Sequence, residues 1–251
     1  MEYFTSAVVL SKSDVKDYDR QFLLYTHHLG KTAVLARGVR RTQSKMAGHL
    51  EPFALLKVKL VTGRGQIKLS NVETVKRYQH ILSDLELINL ARESLHLVDI
   101  LVKEASCDFG ILNFLTWLLG SLDNPALTLS EKKFLTKIFI WQLISHLGYQ
   151  PELYNCVICR QAIIPVENNF SPRRGGLVCR DCSAGIAHED DVLTASKNEI
   201  KILRLLLAQP AEFFVDKKID QALVGGASKI IDQFARYHQA DLTSAGFLAK
   251  V

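Results

Sequence analysis

Two Cys-x-x-Cys pairs, Cys156-Val-Ile-Cys159 and Cys179-Arg-Asp-Cys182, constrain this chain more than any other feature. Nineteen residues separate the two pairs, a spacing that is typical of four-cysteine zinc sites. Each pair offers two thiolates from one tight turn, and four thiolates complete the tetrahedral shell that zinc prefers. A complete shell has no open position for water or substrate. The sequence therefore predicts one structural zinc ion.

The alternatives are four unrelated buried thiols or two disulfides. The pattern argues against chance, because four of the five cysteines fall into the two pairs. The fifth, Cys107, lies in an apolar stretch with helical spacing and is predicted to be a small buried side chain. Reduced thiols with zinc spacing, and no basic N-terminal segment followed by a long apolar run, predict a cytoplasmic protein.

Positive charge is concentrated in the first third of the chain. Residues 1–80 carry fourteen Lys or Arg against six Asp or Glu, whereas residues 81–251 carry seventeen against twenty. Between Gly30 and Lys68, nine basic residues accompany one acid. This pattern predicts a surface that binds nucleic acid; the alternative is a solvated basic face. Because aromatic residues are sparse there, we expect salt-sensitive binding through phosphates, to single or double strands.

The hydrophobic period changes at about residue 78. Before it, short apolar runs alternate with glycine turns, which suits a small barrel such as the OB-fold. After it, apolar residues recur at helical spacing. The predicted fold class is α+β, with an OB-fold nucleic-acid-binding domain at residues 1–77 followed by an α-helical domain. The helical domain at residues 78–251 contains an inserted four-cysteine zinc module at about 151–187.

Enzyme signatures are absent from the sequence. No phosphate-binding GxxxxGK[ST] loop, GxGxxG fingerprint, GxSxG elbow or HExxH motif occurs. No HxE motif precedes a Cys-x-x-Cys pair in the arrangement of the zinc deaminases. The chain is therefore predicted not to be an enzyme. A metal-dependent enzyme, the competing class, would need an open position on its metal.

Three segments of the chain resemble the bacterial RecO family of DNA repair and recombination proteins. Residues 28–41, with Ser44 and Lys45, are similar to the family's G-x-x-x-x-x-A-[KR]-G-x-[KR] stretch. Leu50-Glu51-Pro52-Phe53 is similar to its L-x-P-[FL] entry to the next strand. Residues 147–156 are similar to its LGY-x-P-x-L-x-x-C passage into the zinc module. The order of barrel, helices, zinc module and helices matches as well.

The resemblance implies a recombination mediator that binds single- and double-stranded DNA, anneals complementary strands and helps load RecA onto strands coated by the single-strand-binding protein. It implies RecR, often RecF, and the acidic, Phe-ended tail of the single-strand-binding protein as partners, with RecA reached indirectly. A protein of this kind is expected to be associated with the nucleoid. Some family members lack the cysteines, so the zinc is not needed for the family's activity. The alternative function is an OB-fold and zinc protein that binds RNA in ribosome or transcription work.

Carrying the resemblance over residue by residue gives a candidate DNA site. The cations of the matching motif are Lys31, Arg37, Arg40, Arg41 and Lys45. Two more are added on charge alone, Arg64 and Lys68.

The acidic tail of the single-strand-binding protein needs an apolar slot in the helical domain, with cations at its rim. Four residues are candidates for this rim, and the sequence does not choose among them. These are Lys132, Lys133, Arg204 and Arg236.

Overall fold

The computed structural model describes residues 1–15, 17–63, 65–104, 107–164, 166–186, 188–215, 217 and 221–244, without the side chains of 221–223 and 241–244. The chain forms two compact units, residues 1–129 and residues 130–251. The boundary predicted after residue 77 lies within the first unit and stays a prediction about independent folding.

The first unit begins with a closed five-stranded barrel. Its strands are β1 (Glu2–Asp14), β2 (Arg20–Thr26), β3 (Gly30–Ala36), β4 (Ala54–Thr62) and β5 (Ile67–Arg77). The order around the barrel is β1-β2-β3-β5-β4, in which β3 and β5 are parallel. β1 pairs with β4 through its first half and with β2 through its second half, across an irregularity between Val9 and Ser11. The predicted OB-type barrel is confirmed.

Alternation of side chains explains the barrel core. On β4, Leu56, Val58 and Leu60 are buried inside the barrel, whereas Lys57 is exposed and Lys59 is half-buried. This is the period of two that a half-buried strand requires. β5 follows as one continuous strand, which pairs with the whole length of β4 across two irregularities.

Two helices complete the first unit. A short 3-10 turn at Gln79–Ser83 leads into α1 (Leu85–Leu101), and α2 (Phe109–Asp123) follows. Asp84 and Asp108 are the N-caps, and each carboxylate accepts a hydrogen bond from the backbone N–H two residues further on. Such caps satisfy N–H groups that have no partner within the helix.

The β2–β3 hairpin holds both helices. The buried Tyr25 hydroxyl donates to the Asp108 carbonyl at 2.9 Å and accepts from the Asp108 N–H at 3.3 Å. Burial raises the pKa of Tyr25 to about 12, so the hydroxyl keeps its proton at neutral pH. Lys31 Nζ donates to the carbonyls of Asp99 and Val102 at the end of α1 and lies 3.0 Å from Asp99 Oδ1. One hairpin therefore fixes the start of α2 and the end of α1.

The second unit combines three helices with a small three-stranded sheet. Its helices are α3 (Leu129–His146), which begins at the unit boundary, α4 (Lys197–Ala208) and α5 (Gln221–Ser244). Its strands are β6 (Asn168–Ser171), β7 (Gly176–Val178) and β8 (Leu193–Ala195), in the order β7-β6-β8. The buried Trp141 packs against Phe170 and Phe234, and its indole N–H donates to the Leu203 carbonyl at 3.1 Å.

Within the described residues, no helix combines the length and apolar character needed to cross a membrane.

The prediction for Cys107 is wrong. This residue is exposed and precedes α2, and its thiol lies 3.5 Å from the His27 carbonyl. The helix starts only after its cap at Asp108. The apolar pattern that suggested a helix therefore belongs to the residues that follow Cys107.

Replacement of Lys31 by methionine is expected to destabilise the first unit. The Lys31 side chain is only 12 % exposed, and loss of its ammonium would remove a charged donor from the carbonyls of Asp99 and Val102 and from the Asp99 carboxylate. We expect the free energy of unfolding to fall by about 2 kcal/mol, measured by urea denaturation. Lys57→Met, on an exposed position of β4, is the control and should change stability by less than about 0.5 kcal/mol. Equal stability of the two variants would contradict a structural role for Lys31.

Candidate nucleic-acid interface and metal centre

The four predicted metal ligands come together. The thiol sulfurs of Cys156, Cys159, Cys179 and Cys182 all lie within 4.8 Å of one another. The Cys159 and Cys179 sulfurs are 3.8 Å apart, which matches the edge of about 3.8 Å expected for four sulfurs bonded to zinc at about 2.3 Å. A disulfide would need about 2.05 Å, and all four thiols are free. The geometry fits one tetrahedral metal ion rather than two disulfides.

A tight turn presents the first pair of thiols. The Cys156 N–H donates to the Gln161 carbonyl at 2.8 Å, and the Arg160 N–H donates to the Cys156 carbonyl at 2.9 Å. Arg160 closes the turn with φ of 64°, in the left-handed region. These bonds bring the backbone back on itself within six residues, so both cysteines of the pair face the same point.

The second pair follows β7. The Cys182 N–H donates to the Cys179 carbonyl at 3.1 Å at the start of a 3-10 turn, Arg180–Ile186. The two pairs are joined by backbone, because the Val157 N–H donates to the Leu177 carbonyl at 2.9 Å. The metal site is thus the meeting point of two turns that already share a hydrogen bond.

The four thiols differ in their electrostatic surroundings. Burial raises the pKa of Cys156, but the backbone N–H groups of Cys179, Cys159 and Ile158 oppose it and lower the pKa to about 6. Hydrogen bonding with Cys179 is the main cause that raises the pKa of Cys182, to about 12. A cluster that ionises one thiol readily and resists further negative charge is suited to a cation, which would favour the remaining thiolates.

Part of the basic stretch between Gly30 and Lys68 forms the loop at residues 37–53, between β3 and β4. Gly38 has φ of 61°, and its N–H donates to Asp19 Oδ1 at 2.8 Å. The Arg40 N–H donates to the Tyr18 carbonyl at 3.1 Å, so the loop is bonded to the β1–β2 connection. The Gly38 amide is therefore engaged by a carboxylate. The exposed cations of the loop are Arg37, Arg40, Arg41 and Lys45.

Two of these arginines line a cleft of about 340 Å³. Arg40 and Arg41 meet Lys12 of β1 and Arg20 of β2 there, and apolar side chains such as Phe22 contribute to its wall. We call this site the basic cleft and define it by the four cations. Guanidinium groups can hold phosphate oxygens through paired hydrogen bonds, so the cleft has the chemistry of a phosphate site.

A carboxylate organises the cleft. Asp14 lies 2.6 Å from Arg20 Nε and 3.2 Å from Arg40 Nη1. The hydrogen bond from Arg20 is the main cause that holds the pKa of Asp14 below its ordinary value, so this group stays ionised at neutral pH. Glu51 is the acid that lines the cleft itself. The two carboxylates offset only part of the charge of the four cations, so the net charge of the basic cleft is positive.

The other predicted DNA contacts lie apart from the cleft. Lys31 is mostly covered and binds the end of α1, so its ammonium has partners within the protein and does not require DNA. Lys68 is half-buried on β5 opposite Leu35 of β3, and it does not line the cleft. Arg37 and Lys45 are exposed on the same loop but are not among the lining residues. Arg64 lies outside the described residues.

Sequence reasoning missed Lys12 and Arg20. Both lie outside the basic stretch, and the pairing of β1 with β2 sets Lys12 opposite Phe22 and Asp14 opposite Arg20. The charge excess of residues 1–80 included them. The charge count did not place Lys12 and Arg20 beside Arg40 and Arg41, because that placement depends on the pairing of β1 with β2.

The four cations predicted at the rim of a slot for the acidic tail differ in their exposure and contacts. Lys132 is 3 % exposed, so it is not a rim residue. Arg204 donates from Nε to the Leu153 carbonyl at 3.0 Å, which ties it to the zinc module. Lys133 and Arg236 are exposed on their helices.

A larger apolar groove of about 770 Å³ lies in the first unit, between β1, residues 50–53 and α1. Its lining includes the exposed Leu82 and the half-buried Ile88. Three basic side chains also line it, Lys12, Arg92 and His96. Lys12 and Leu50 belong to both the groove and the basic cleft, so the two sites adjoin.

Comparisons with known proteins agree on one family. Residues 1–78 match recombination protein O N terminal, and residues 82–242 match recombination protein O C terminal. A DNA repair protein RecO of Roseiflexus sp. is 32 % identical over 99 % of this chain and 86 % of that protein. A DNA repair protein RecO of Dehalococcoides mccartyi is 31 % identical over 82 % of this chain and 78 % of that protein. The chain therefore belongs to the RecO family of DNA repair proteins.

Proposed function

We propose that this chain is a non-enzymatic recombination mediator that binds single- and double-stranded DNA, anneals complementary strands and helps load RecA onto strands coated by the single-strand-binding protein. The basic cleft is the observation that carries the proposal, since four cations from two strands and one loop converge there. Membership of a DNA repair family supports DNA as the polyanion. RecR, and in some settings RecF, would act as partners in the cytoplasm.

The proposed mechanism is physical rather than covalent. Two complementary strands repel each other through their phosphates, and a cationic surface screens that repulsion while it releases condensed counterions. A grip on the single-strand-binding protein would hold the coated strand near the cleft and raise its local concentration. Rearrangement of that protein would then expose bases for pairing or for RecA.

The proposed DNA surface joins the cleft to the loop beside it. Lys31 is left out because the end of α1 occupies its ammonium. Lys68 is kept as a peripheral contact because β5 sets it beside the strand that leads into the loop. The main contacts would be Lys12, Arg20, Arg37, Arg40, Arg41 and Lys45. Residues 1–77 would be the DNA-binding domain.

The apolar groove is the proposed site for the acidic, Phe-ended tail. It pairs an apolar surface with cations at Lys12 and Arg92 and with the imidazole of His96, against one acid, Glu93. An aromatic end group would be desolvated in the groove while carboxylates meet the rim charges. One wall is α1, which belongs to the helical part of the chain in which a tail site is expected.

The proposed metal is zinc in a structural role. Four thiolates at tetrahedral separations favour zinc over hard cations. The four cysteines would hold the ion and tie two turns together. The ion would supply local folding energy, and DNA binding would depend on the barrel.

Removal of three loop cations tests the DNA proposal. We expect the variant Arg37→Ala/Arg40→Ala/Arg41→Ala to bind a labelled single strand at least roughly tenfold more weakly. Its salt dependence should be shallower by up to about 2 in log–log slope, since each lost phosphate contact removes about 0.7. Fluorescence anisotropy at several salt concentrations measures both quantities.

A matched control removes the same charge elsewhere. Lys197, Lys201 and Lys229 are exposed on α4 and α5, and their triple alanine variant should bind like the wild type. Equal weakening by both triples would mean that net charge, and not the cleft, governs binding. Tighter binding to an RNA of the same length and sequence would favour the RNA-binding function instead.

Zinc content tests the metal proposal. We expect one zinc per chain by elemental analysis. Cys159→Ser, at an exposed ligand position, should lose most of this zinc and lower the melting temperature. Cys107→Ser is the control and should keep the ion. DNA affinity should remain unchanged in folded Cys159→Ser, and its loss there would contradict a purely structural ion.

Charge reversal at the groove tests the tail proposal. We expect Arg92→Glu to weaken binding of a fluorescent acidic peptide ending in Phe by roughly tenfold, because it replaces attraction by repulsion at the rim. Lys201→Glu makes the same change on exposed α4 and should have little effect. Equal peptide binding by Arg92→Glu and the wild type would exclude the groove as the tail site.

A further inference from the structure

Tyr18 places an exposed aromatic ring beside the basic cleft. It lies in the β1–β2 connection and is 53 % exposed. The Arg41 guanidinium lies over its ring at 5.3 Å from the centroid. Other largely exposed aromatic side chains in the described part of the chain, such as Phe4 and Tyr154, contact Lys59 and Arg204 instead. Tyr18 is therefore the exposed aromatic residue whose ring contacts a cation of the cleft.

Hydrogen bonds order the backbone that carries the Tyr18 ring. The Tyr18 carbonyl accepts from the Arg40 N–H at 3.1 Å. On the next residue, Asp19 Oδ1 accepts from the Gly38 N–H at 2.8 Å, and the Asp19 carbonyl accepts from the Val15 N–H at 3.2 Å. The first two bonds join the β1–β2 connection to the cationic loop, and the third lies within the connection itself. An ordered backbone reduces the conformational entropy that binding costs.

A flat aromatic surface next to phosphate-binding cations suits one kind of ligand. An unpaired nucleotide carries a phosphate and a free base face within one repeat, and a base can stack on an aromatic ring whatever its sequence. In a duplex each base is already stacked between its neighbours, so its face is not free to stack on a tyrosine ring, whereas the phosphates remain available to the cleft. An arginine over the same ring can strengthen the stack.

We propose that Tyr18, with Arg41 over its ring, stacks one unpaired base of a strand whose phosphates occupy the basic cleft. The site would make the cleft prefer single-stranded over double-stranded nucleic acid. This inference rests on the proposed function, because it assumes that the cleft binds nucleic-acid phosphates. It adds base stacking to the phosphate-dominated binding predicted from the sequence. That prediction overlooked Tyr18 because it lies outside the basic stretch between Gly30 and Lys68.

Three probes of equal length separate stacking from charge. They are an oligothymidine strand, the same strand with abasic sites in place of every base, and a blunt duplex. We expect Tyr18→Ala to weaken oligothymidine binding roughly tenfold and to leave the abasic strand and the duplex within about twofold. The salt dependence should not change, because no cation is removed. Tyr18→Phe, which keeps the ring, should bind like the wild type.

Tyr154→Ala is the matched control. Tyr154 is also an exposed tyrosine beneath an arginine, Arg204, but it lies in the zinc module. Its variant should bind all three probes like the wild type. Melting temperatures of the tyrosine variants would confirm that each is folded.

The outcomes distinguish this inference from the proposed function. Equal weakening of all three probes by Tyr18→Ala would mean that the tyrosine only positions the arginines, and no weakening of any probe would mean that the ring does not contact DNA. Either result would overturn the stacking site. If the wild type binds none of the probes, or if the triple arginine variant binds as well as the wild type, the DNA-binding cleft itself fails. Photocrosslinking of a strand containing iododeoxyuridine to the peptide that holds Tyr18 would support direct stacking.

Discussion

The β2–β3 hairpin is the constraint on which the first unit depends. Closure of the barrel fixes its two strands, and Tyr25 and Lys31 extend from them to the backbone at the ends of two helices. The contact between Lys31 and the end of α1 satisfies both partners, because terminal helix carbonyls require donors and a mostly covered ammonium requires acceptors. The same strand β3 runs directly into the loop that carries the arginines. The placement of the helices and the placement of the cationic loop therefore follow from one structural element.

The metal centre shows what a sequence can specify by itself. Each Cys-x-x-Cys pair needs only a local turn to present two thiols, so the spacing was enough to predict the cluster that Cys156, Cys159, Cys179 and Cys182 form. The barrel could likewise be predicted, since the alternation on β4 reflects a period set by the strand itself. Family motifs extended the prediction to function because they lie within continuous segments of the chain.

Contacts between distant segments could not be predicted in this way. A count of charges treats Lys31 and Arg40 alike, yet one ammonium binds a helix end 68 residues away and the other side chain lines a cleft. Lys12 joins the cleft through strand pairing that the sequence pattern does not specify. Cys107 was misassigned because an apolar run does not show where a helix cap begins. In each case the deciding partner lies far along the chain or in the choice of a single cap residue.

The carboxylate of Asp14 has a physical role in a surface proposed to bind phosphates. By pairing with Arg20 and Arg40 it offsets the repulsion between the two guanidinium groups that line the cleft. It also neutralises part of their charge, so an arriving phosphate has to compete with a group already in place. Under the proposed annealing function the strands must be released after pairing, and a cleft with all its cations unopposed would hold the product more tightly. The excess of cations over acids would then favour capture of DNA, while the internal ion pairs would favour exchange.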